Sequence, residues 1–574
     1  MDTDWKDRLK EIGKELSKSH SEKKKESAAS RPVLPERNSI KSVEDIFKDL
    51  QPMKSTHIES QSINSKEDIS DKIPFVSHKI SSPPSSTHGF NSPKTPTKTR
   101  SIPLPKQPSD GEERVTVGLD FGTSFTKVCL RRELGGDDVP IYPIVLEFDA
   151  YKKLATPLCP SLVAIKDNKI YFGQQAAIRS SEGARCFEHL KVCITCDFND
   201  LSLDCVSSEV CPYRDGTSSP SILTSIYIAW VMKESRRQAQ KILKIKQGSF
   251  IYNVGVPIKH LDWRKSDLHY KKYRRIFSDA WRISEGVSQG MDYQLALDWL
   301  NEVSKEQIYN QENSYVQIAP ESSAAIVSYV NSAKSQTGLY SIVDIGAWTT
   351  DVSFFRLTDI NMQEVGVPRL SFYAAEVLRK ATNAIDEKII HALMEYSGLN
   401  SIKKFLQNDL LSFIRSKREA GVLPGATVEF RTRNGTVSSI EIPNCIVDYS
   451  RFVITEGVRR GFTETFKEAR KKEKPPDIWR NFTLFMTGGG SYEELFIEKI
   501  CKKYEYFKPK VRSDILNFYT LEDNEDSKIS KRLAVAAGLS YPLGMWPEQL
   551  HPTQVPDWEG PRMANIPDAD DEPG

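Results

Sequence analysis

Three short stretches carry the residue types that grip an anion and a divalent cation. The first, VTVGLDFGTSFTKVCL, runs from an apolar segment into Asp120 and then Gly122, Thr123 and Ser124. After a strand, such a turn directs backbone N–H groups and hydroxyls at an anion, and the carboxylate before it can hold a hydrated Mg²⁺. The second, YSIVDIGAWTTDVSFF, repeats the design with Asp344, Gly346, Thr349, Thr350 and Asp351. Here Trp348 stands where a backbone that touches phosphate usually needs glycine. The third, FTLFMTGGGSYEELF, places Gly488, Gly489 and Gly490 after an apolar run, with Ser491 as a helix cap. Each stretch alone has a plainer reading, because Asp-x-Gly turns join many ordinary hairpins and glycine turns also serve tight packing.

Elements able to position these turns lie between residues 113 and 546. Strand-like runs include RVTVGLDF, KVCLRREL, SFIYNVGVP, YSIVDIG, DVSFFRL, ATVEFRT and FTLFMTGG, and helical patterns cover 221–247 and 375–396. Alternating strands and helices predict an α/β layered architecture. Residues 1–112 are rich in Ser, Lys and Pro and are expected to be disordered, because they bury too little apolar surface to offset ordering entropy. Two amphipathic segments there, Asp4 to Lys18 and SVEDIFKDLQ, read either as transient helices or as partner-docking motifs. From about Pro547 the chain reads as a flexible tail ending in the acidic DADDEPG.

The 574 residues carry a formal net charge of +2, so nothing global points to nucleic acid. No apolar run is long enough to span a bilayer, and the charged N-terminus does not read as a secretory signal. The expectation is a cytoplasmic protein whose nine cysteines are mostly reduced. Five of these crowd between Cys186 and Cys211. Cys193, Cys196, Cys205 and Cys211 could supply four thiolates to Zn²⁺, although five residues separate the second pair; free buried cysteine is the alternative.

In order and spacing, the three turns resemble those of the actin, sugar kinase and heat-shock ATPase superfamily. APESSAAIVSYV, IRSKREAGVLPGATVEFRT and KRLAVAAGLS are similar to the first connecting helix, a second-lobe helix with its following strand, and the second connecting helix of the 70-kDa heat-shock chaperones. The resemblance implies a two-lobed actin-like ATPase fold of duplicated ribonuclease H-like domains. Lobe I would cover about 113–320 and lobe II about 321–546, with ATP or ADP and Mg²⁺ between them. Asp120 and Asp344 match the carboxylates that hold Mg²⁺ through water. Thr123 and Ser124 match the hydroxyl turn beside the phosphates, and Lys191 the lysine on the γ-phosphate. Glu321 matches the acid near the attacking water, and Thr349 and Asp351 close the second hairpin. Lys417 and Arg418 match basic residues of the adenosine side. There the family's ribose-binding glutamate is replaced by Ile414, and Tyr492 takes the place of the arginine that stacks on adenine.

The family's peptide-binding domain has no counterpart in this sequence, so a complete foldase cycle is not expected. The implied activity is a low-turnover nucleotide switch acting through protein partners, with the N-terminal segment as the output. A pseudo-ATPase scaffold and a nucleotide-dependent actin-like filament are the alternatives, and the oligomeric state is not legible. A bulky residue at positive φ in the second hairpin would be strained. If the backbone there still faces phosphate, the indole instead points away and packs between the lobes. Trp348 is expected to slow or reshape turnover without abolishing Mg²⁺–nucleotide binding, and a Trp348→Gly variant to hydrolyse ATP faster.

Overall fold

The apolar alternation of RVTVGLDF and FTKVCLRR folds into an antiparallel hairpin of β1 (Glu113–Phe121) and β2 (Phe125–Arg132). Val115 to Phe121 are all buried, so β1 needs packing on both of its faces. The computed structural model describes Pro105 and residues 113–133, 139–149, 154–197, 219–245, 248–257, 267–305, 315–332, 334–359, 368–397, 413–415, 417–418, 422–431, 437–473, 475–512 and 527–559. Apart from Pro105, the expected disordered segment 1–112 and its two docking helices lie outside the described residues.

A first sheet has the order β5-β4-β1-β2-β3, with β3 (Tyr142–Pro143), β4 (Gly248–Val256) and β5 (Val316–Pro320). β4 runs parallel to β1 and β5 parallel to β4, while β2 and β3 are antiparallel neighbours. A second sheet has the order β10-β9-β6-β7-β8-β11. Its strands are β6 (Gly338–Ile345), β7 (Thr350–Asp359), β8 (Pro368–Leu378), β9 (Thr483–Thr487), β10 (Lys510–Arg512) and β11 (Glu548–Leu550). β6 pairs antiparallel with β7 and parallel with β9, β9 parallel with β10, and β7 antiparallel with β8. Strand order and sense therefore repeat between the sheets, β6 standing where β1 stands. The protein is a mixed α/β structure built on this repeat.

Six helices matter for the site: α1 (Leu190–Asp197), α2 (Pro220–Leu243), α3 (Glu321–Val330), α4 (Thr382–Ser397), α5 (Asn444–Lys472) and α6 (Ser527–Leu539). α2 buries Leu223, Ile226 and Trp230 in the core of the first sheet. α4 and α5 bury Ile385, Ile389 and Phe462 in a second core with Phe354 of β7. The other faces are covered by exchange. α3, which follows β5 directly, packs Ile326 and Tyr329 with Tyr340 and Phe485 of the second sheet. α6 comes from the far end of the chain and lies on β1, so close that a Cβ on Gly118 would stand 2.1 Å from the Ala536 carbonyl oxygen. α3 and α6 meet at Gly538, where a Cβ would stand 1.6 Å from the Ala324 oxygen. Buried Asn253 of β4 donates to the carbonyls of Leu539 (2.8 Å) and Tyr541 (2.9 Å), satisfying acceptors that α6 leaves open at its end.

Two readings of the sequence differ from this architecture. The helix expected over 375–396 starts at Thr382, because Ala375 to Leu378 continue β8 in register with β7. Short apolar runs do not distinguish strand from buried helix by periodicity. The strand expected at ATVEFRT does form, as one arm of a hairpin in which Thr427–Arg431 pairs with Val437–Glu441. The tail expected from Pro547 instead begins with β11, paired parallel to β8. Beyond it, Lys472 at the end of α5 donates to the Val555 carbonyl (2.8 Å) and pairs with Asp557 (2.7 Å), and the Trp558 N–H donates to the Lys471 carbonyl (2.9 Å). The α5 C-terminus offers carbonyls and cations that the segment uses. Residues 560–574, with the acidic end, lie outside the described residues. Among the described residues no helix is long and apolar enough to cross a membrane.

Candidate functional site

Asp120 is the penultimate residue of β1 and Asp344 that of β6, so the repeat places the two carboxylates at corresponding points. Both line one cleft, which takes in about 890 Å³ of space, its open mouth included. Antiparallel register puts Lys127 opposite Asp120 and Asp351 opposite Asp344. The glycines are required where turns touch. A Cβ on Gly122 would stand 2.4 Å from the Phe125 carbonyl oxygen. Gly488 has φ +79°, and a Cβ there would stand 2.2 Å from Asp344 Oδ1. The turn after β9 is thus pressed onto the second hairpin.

Two ion pairs organise the charge. Lys127 Nζ lies 2.5 Å from Asp120 Oδ2, and Lys191 Nζ, from α1, lies 2.5 Å from Glu321 Oε1 at the start of α3. Burial raises the Glu321 carboxyl above its ordinary range against the pull of Lys191, and Asp120 adds to the rise. Burial also raises Asp344, with Lys127 opposing and Asp120 reinforcing. Asp351 is pushed well up by burial and then by Glu321. Burial disfavours the Lys191 ammonium, but Glu321, Asp120 and Asp351 outweigh it and its pKa is raised. These acids crowd one another, and negative charge here is costly without a further cation. Ser124 Oγ, Asp351 Oδ1, Arg415 Nε and Arg532 Nε, all on residues of the cleft wall, are buried atoms without a hydrogen-bond partner. Such atoms suit a polar, charged ligand.

The cleft brings together Asp120, Gly122, Thr123, Ser124, Lys191, Glu321, Asp344, Gly346, Thr349, Asp351, Arg418, Gly488 and Gly489. Arg418 reaches it with its guanidinium held by Asp386 at 2.6 and 2.9 Å. Lys417, Gly490 and Ser491 are not among its lining residues. The Lys417 ammonium sits 5.4 Å above the Phe413 ring. Ser491 does not cap a helix: it lies inside a 3₁₀ turn, Gly489–Tyr492, donates to the Gly488 carbonyl (2.8 Å), and the following helix starts at Glu494. The side chain of Tyr492 lies outside the described residues. Ile414, read as a substitute for a ribose-binding glutamate, is fully buried in the second core; its neighbour Arg415 faces the cleft instead. Of the zinc candidates, Cys193 is buried in the first core, while Cys205, Cys211 and the side chain of Cys196 lie outside the described residues. Among the described residues no group of three or more His, Cys, Asp or Glu side chains is gathered to hold a metal ion.

Lys127, Thr382, Asn383, Arg415 and Arg532 line the cleft without having been expected there. Lys127 had a signal: a turn at 122–124 places residue 127 directly across from residue 120. Arg415 and Arg532 had none, because their position depends on which helix face meets the core.

The second hairpin is unstrained. Neither Ala347 nor Trp348 is among the residues at positive φ, so the expected release of strain in Trp348→Gly has no basis. The indole is buried and is not part of the cleft wall. It packs with Val192 of α1 and, edge to face, with His189, their ring centroids 4.7 Å apart.

No protein-family model matches the chain, and no curated protein matches it in sequence.

Proposed function

We propose that the chain is a Mg²⁺-dependent, ATP-binding and slowly ATP-hydrolysing switch with the two-lobed fold of the actin and heat-shock ATPase superfamily, related in its motifs to the 70-kDa heat-shock chaperones. The observation that carries this reading is the repeat. Two sheets repeat one strand order and sense, each carries an aspartate one residue before the end of a central strand, and both aspartates line one cleft. The fit of the residues supports Mg²⁺ and phosphate. Asp120 and Asp344 would hold the ion through water, which relieves the crowding of Asp344, Asp351 and Glu321. Bound Mg²⁺ supplies charge neutralisation for the phosphates.

The chain's own residues do the rest. Thr123, Ser124 and the glycine turns bind phosphate oxygens, with the unpartnered Ser124 Oγ as one donor. Lys191 transfers its ammonium from Glu321 to the terminal phosphate. Glu321, thereby released, orients the attacking water and accepts its proton, a task that suits a carboxyl of raised pKa. Arg415 and Arg532 line the cleft as further anion-binding groups.

One observation favours a second reading, nucleotide binding without turnover. Lys127 Nζ lies 2.5 Å from Asp120 Oδ2, so one oxygen of a carboxylate proposed to hold the ion already has a cationic partner. Calorimetry with Mg·ATP, with ATP in chelator, and steady-state phosphate release separate the two. The ATPase reading expects Mg²⁺-dependent binding and turnover above that of Asp344→Asn. Equal binding in chelator with no turnover above that variant would establish the second reading. Output through residues 1–112 is tested by affinity capture with and without them, in ATP and in ADP.

A further inference from the structure

Trp348 occupies, in the second hairpin, the position that Ser124 holds in the first, each four residues after the leading aspartate. Its indole makes contacts on both sides of the cleft. On one side the indole meets His189 and Val192. His189 accepts the Cys193 N–H on its carbonyl (3.0 Å), fixing the turn that opens α1, and Lys191 sits inside that turn. His189 is itself buried and held at φ +59°. On the other side, the Asn383 amide is oriented by its donors. Its oxygen accepts from Trp348 Nε1 (3.0 Å) and from Arg415 Nη2 (3.2 Å). The Asn383 N–H donates to the Ala347 carbonyl (2.7 Å), and Thr382 Oγ1 to the Gly346 carbonyl (3.1 Å).

We propose that Trp348 is a positioning residue that clamps the two sides of the cleft, fixing Lys191 through His189 and Arg415 through Asn383. A glycine at this position would leave both cations to be placed by the ligand. The indole instead sets them beforehand, and so fixes how far the cleft stands open. The clamp stands on packing and hydrogen bonds alone; its effect on nucleotide rests on the function proposed above.

Hydrogen exchange on the full chain without nucleotide tests the clamp directly. Trp348→Ala is expected to raise amide exchange in residues 190–197 and 382–390 together. Trp348→Phe keeps a ring against His189 but lacks the N–H, so it raises exchange in 382–390 alone. With Mg·ATP, Trp348→Phe is expected to bind roughly two- to tenfold more weakly, the worth of one hydrogen bond, and to lose less turnover than Trp348→Ala. Trp348→Ala should lower turnover as well, because Lys191 is no longer held. Unchanged exchange in 190–197 for Trp348→Ala overturns the clamp whatever the nucleotide does. Should that variant not fold, unchanged exchange in 382–390 for Trp348→Phe overturns it. Coupled exchange in a protein that binds no Mg·ATP supports the clamp and overturns the nucleotide reading.

Discussion

Replacing Lys191 with methionine isolates the ion pair on which the cleft turns. The pair is close, 2.5 Å, and its side chains are 15% and 5% exposed. Removing one partner of so buried a pair leaves an uncompensated charge and costs about 3–5 kcal/mol. Glu321 has an escape, because it can take up a proton. Burial already raises its pKa, and Lys191 is the first of the influences holding it down. In Lys191→Met the folded-state pKa therefore rises further above the unfolded value. A carboxyl of this kind favours the folded state below its unfolded pKa and loses that advantage as pH rises through the folded one. The stability deficit should thus be large at about pH 7 and shrink toward about pH 5. Urea melts of wild type, Lys191→Met, Glu321→Gln and the double variant measure both the deficit and the coupling, which should fall in the range of about 0.5–3 kcal/mol for residues in contact. A deficit below about 1 kcal/mol, or one equal at both pH values, would mean that the pair is solvated and not buried as described here.

Three further outcomes follow from the packing. Gly538→Ala should destabilise by about 1–3 kcal/mol or more, because its Cβ would meet the Ala324 backbone and helices do not yield as flexible side chains do; thermal melts read it. Ile414→Glu should not restore a ribose contact but should unfold or strongly destabilise the second core, and calorimetry showing tighter nucleotide binding would contradict the burial of that position. His189 is buried neutral, its pKa pushed down from 6.5 to about 3 by burial and then by Arg415. The unfolded chain takes the proton first, so stability should fall as pH drops through that window, with a slope of up to about 1.4 kcal/mol per unit. His189→Leu should flatten that part of a pH series of melts; an unchanged slope would show that the ring is solvated.

What the sequence determined by itself was local. The turns at Gly122, Gly346 and Gly488 were legible from their order and spacing taken together, since each alone has plainer uses, and the two aspartates because a carboxylate next to the end of a buried strand needs a partner. Hairpin register even implied Lys127 opposite Asp120. Tertiary structure decided whatever depends on a helix face or a second segment. Whether Ile414 or Arg415 meets the cleft is a rotation of one residue about a helix axis, set by which side finds the core. That residues 548–550 complete a sheet depends on the free edge of β8, about 180 positions earlier. Trp348 shows the difference most plainly. Its sequence position left open whether it strains a phosphate turn or packs away from it. Its indole turns out of the cleft because His189 and Asn383, remote in the chain, supply an aromatic edge and a carbonyl that the turn itself lacks.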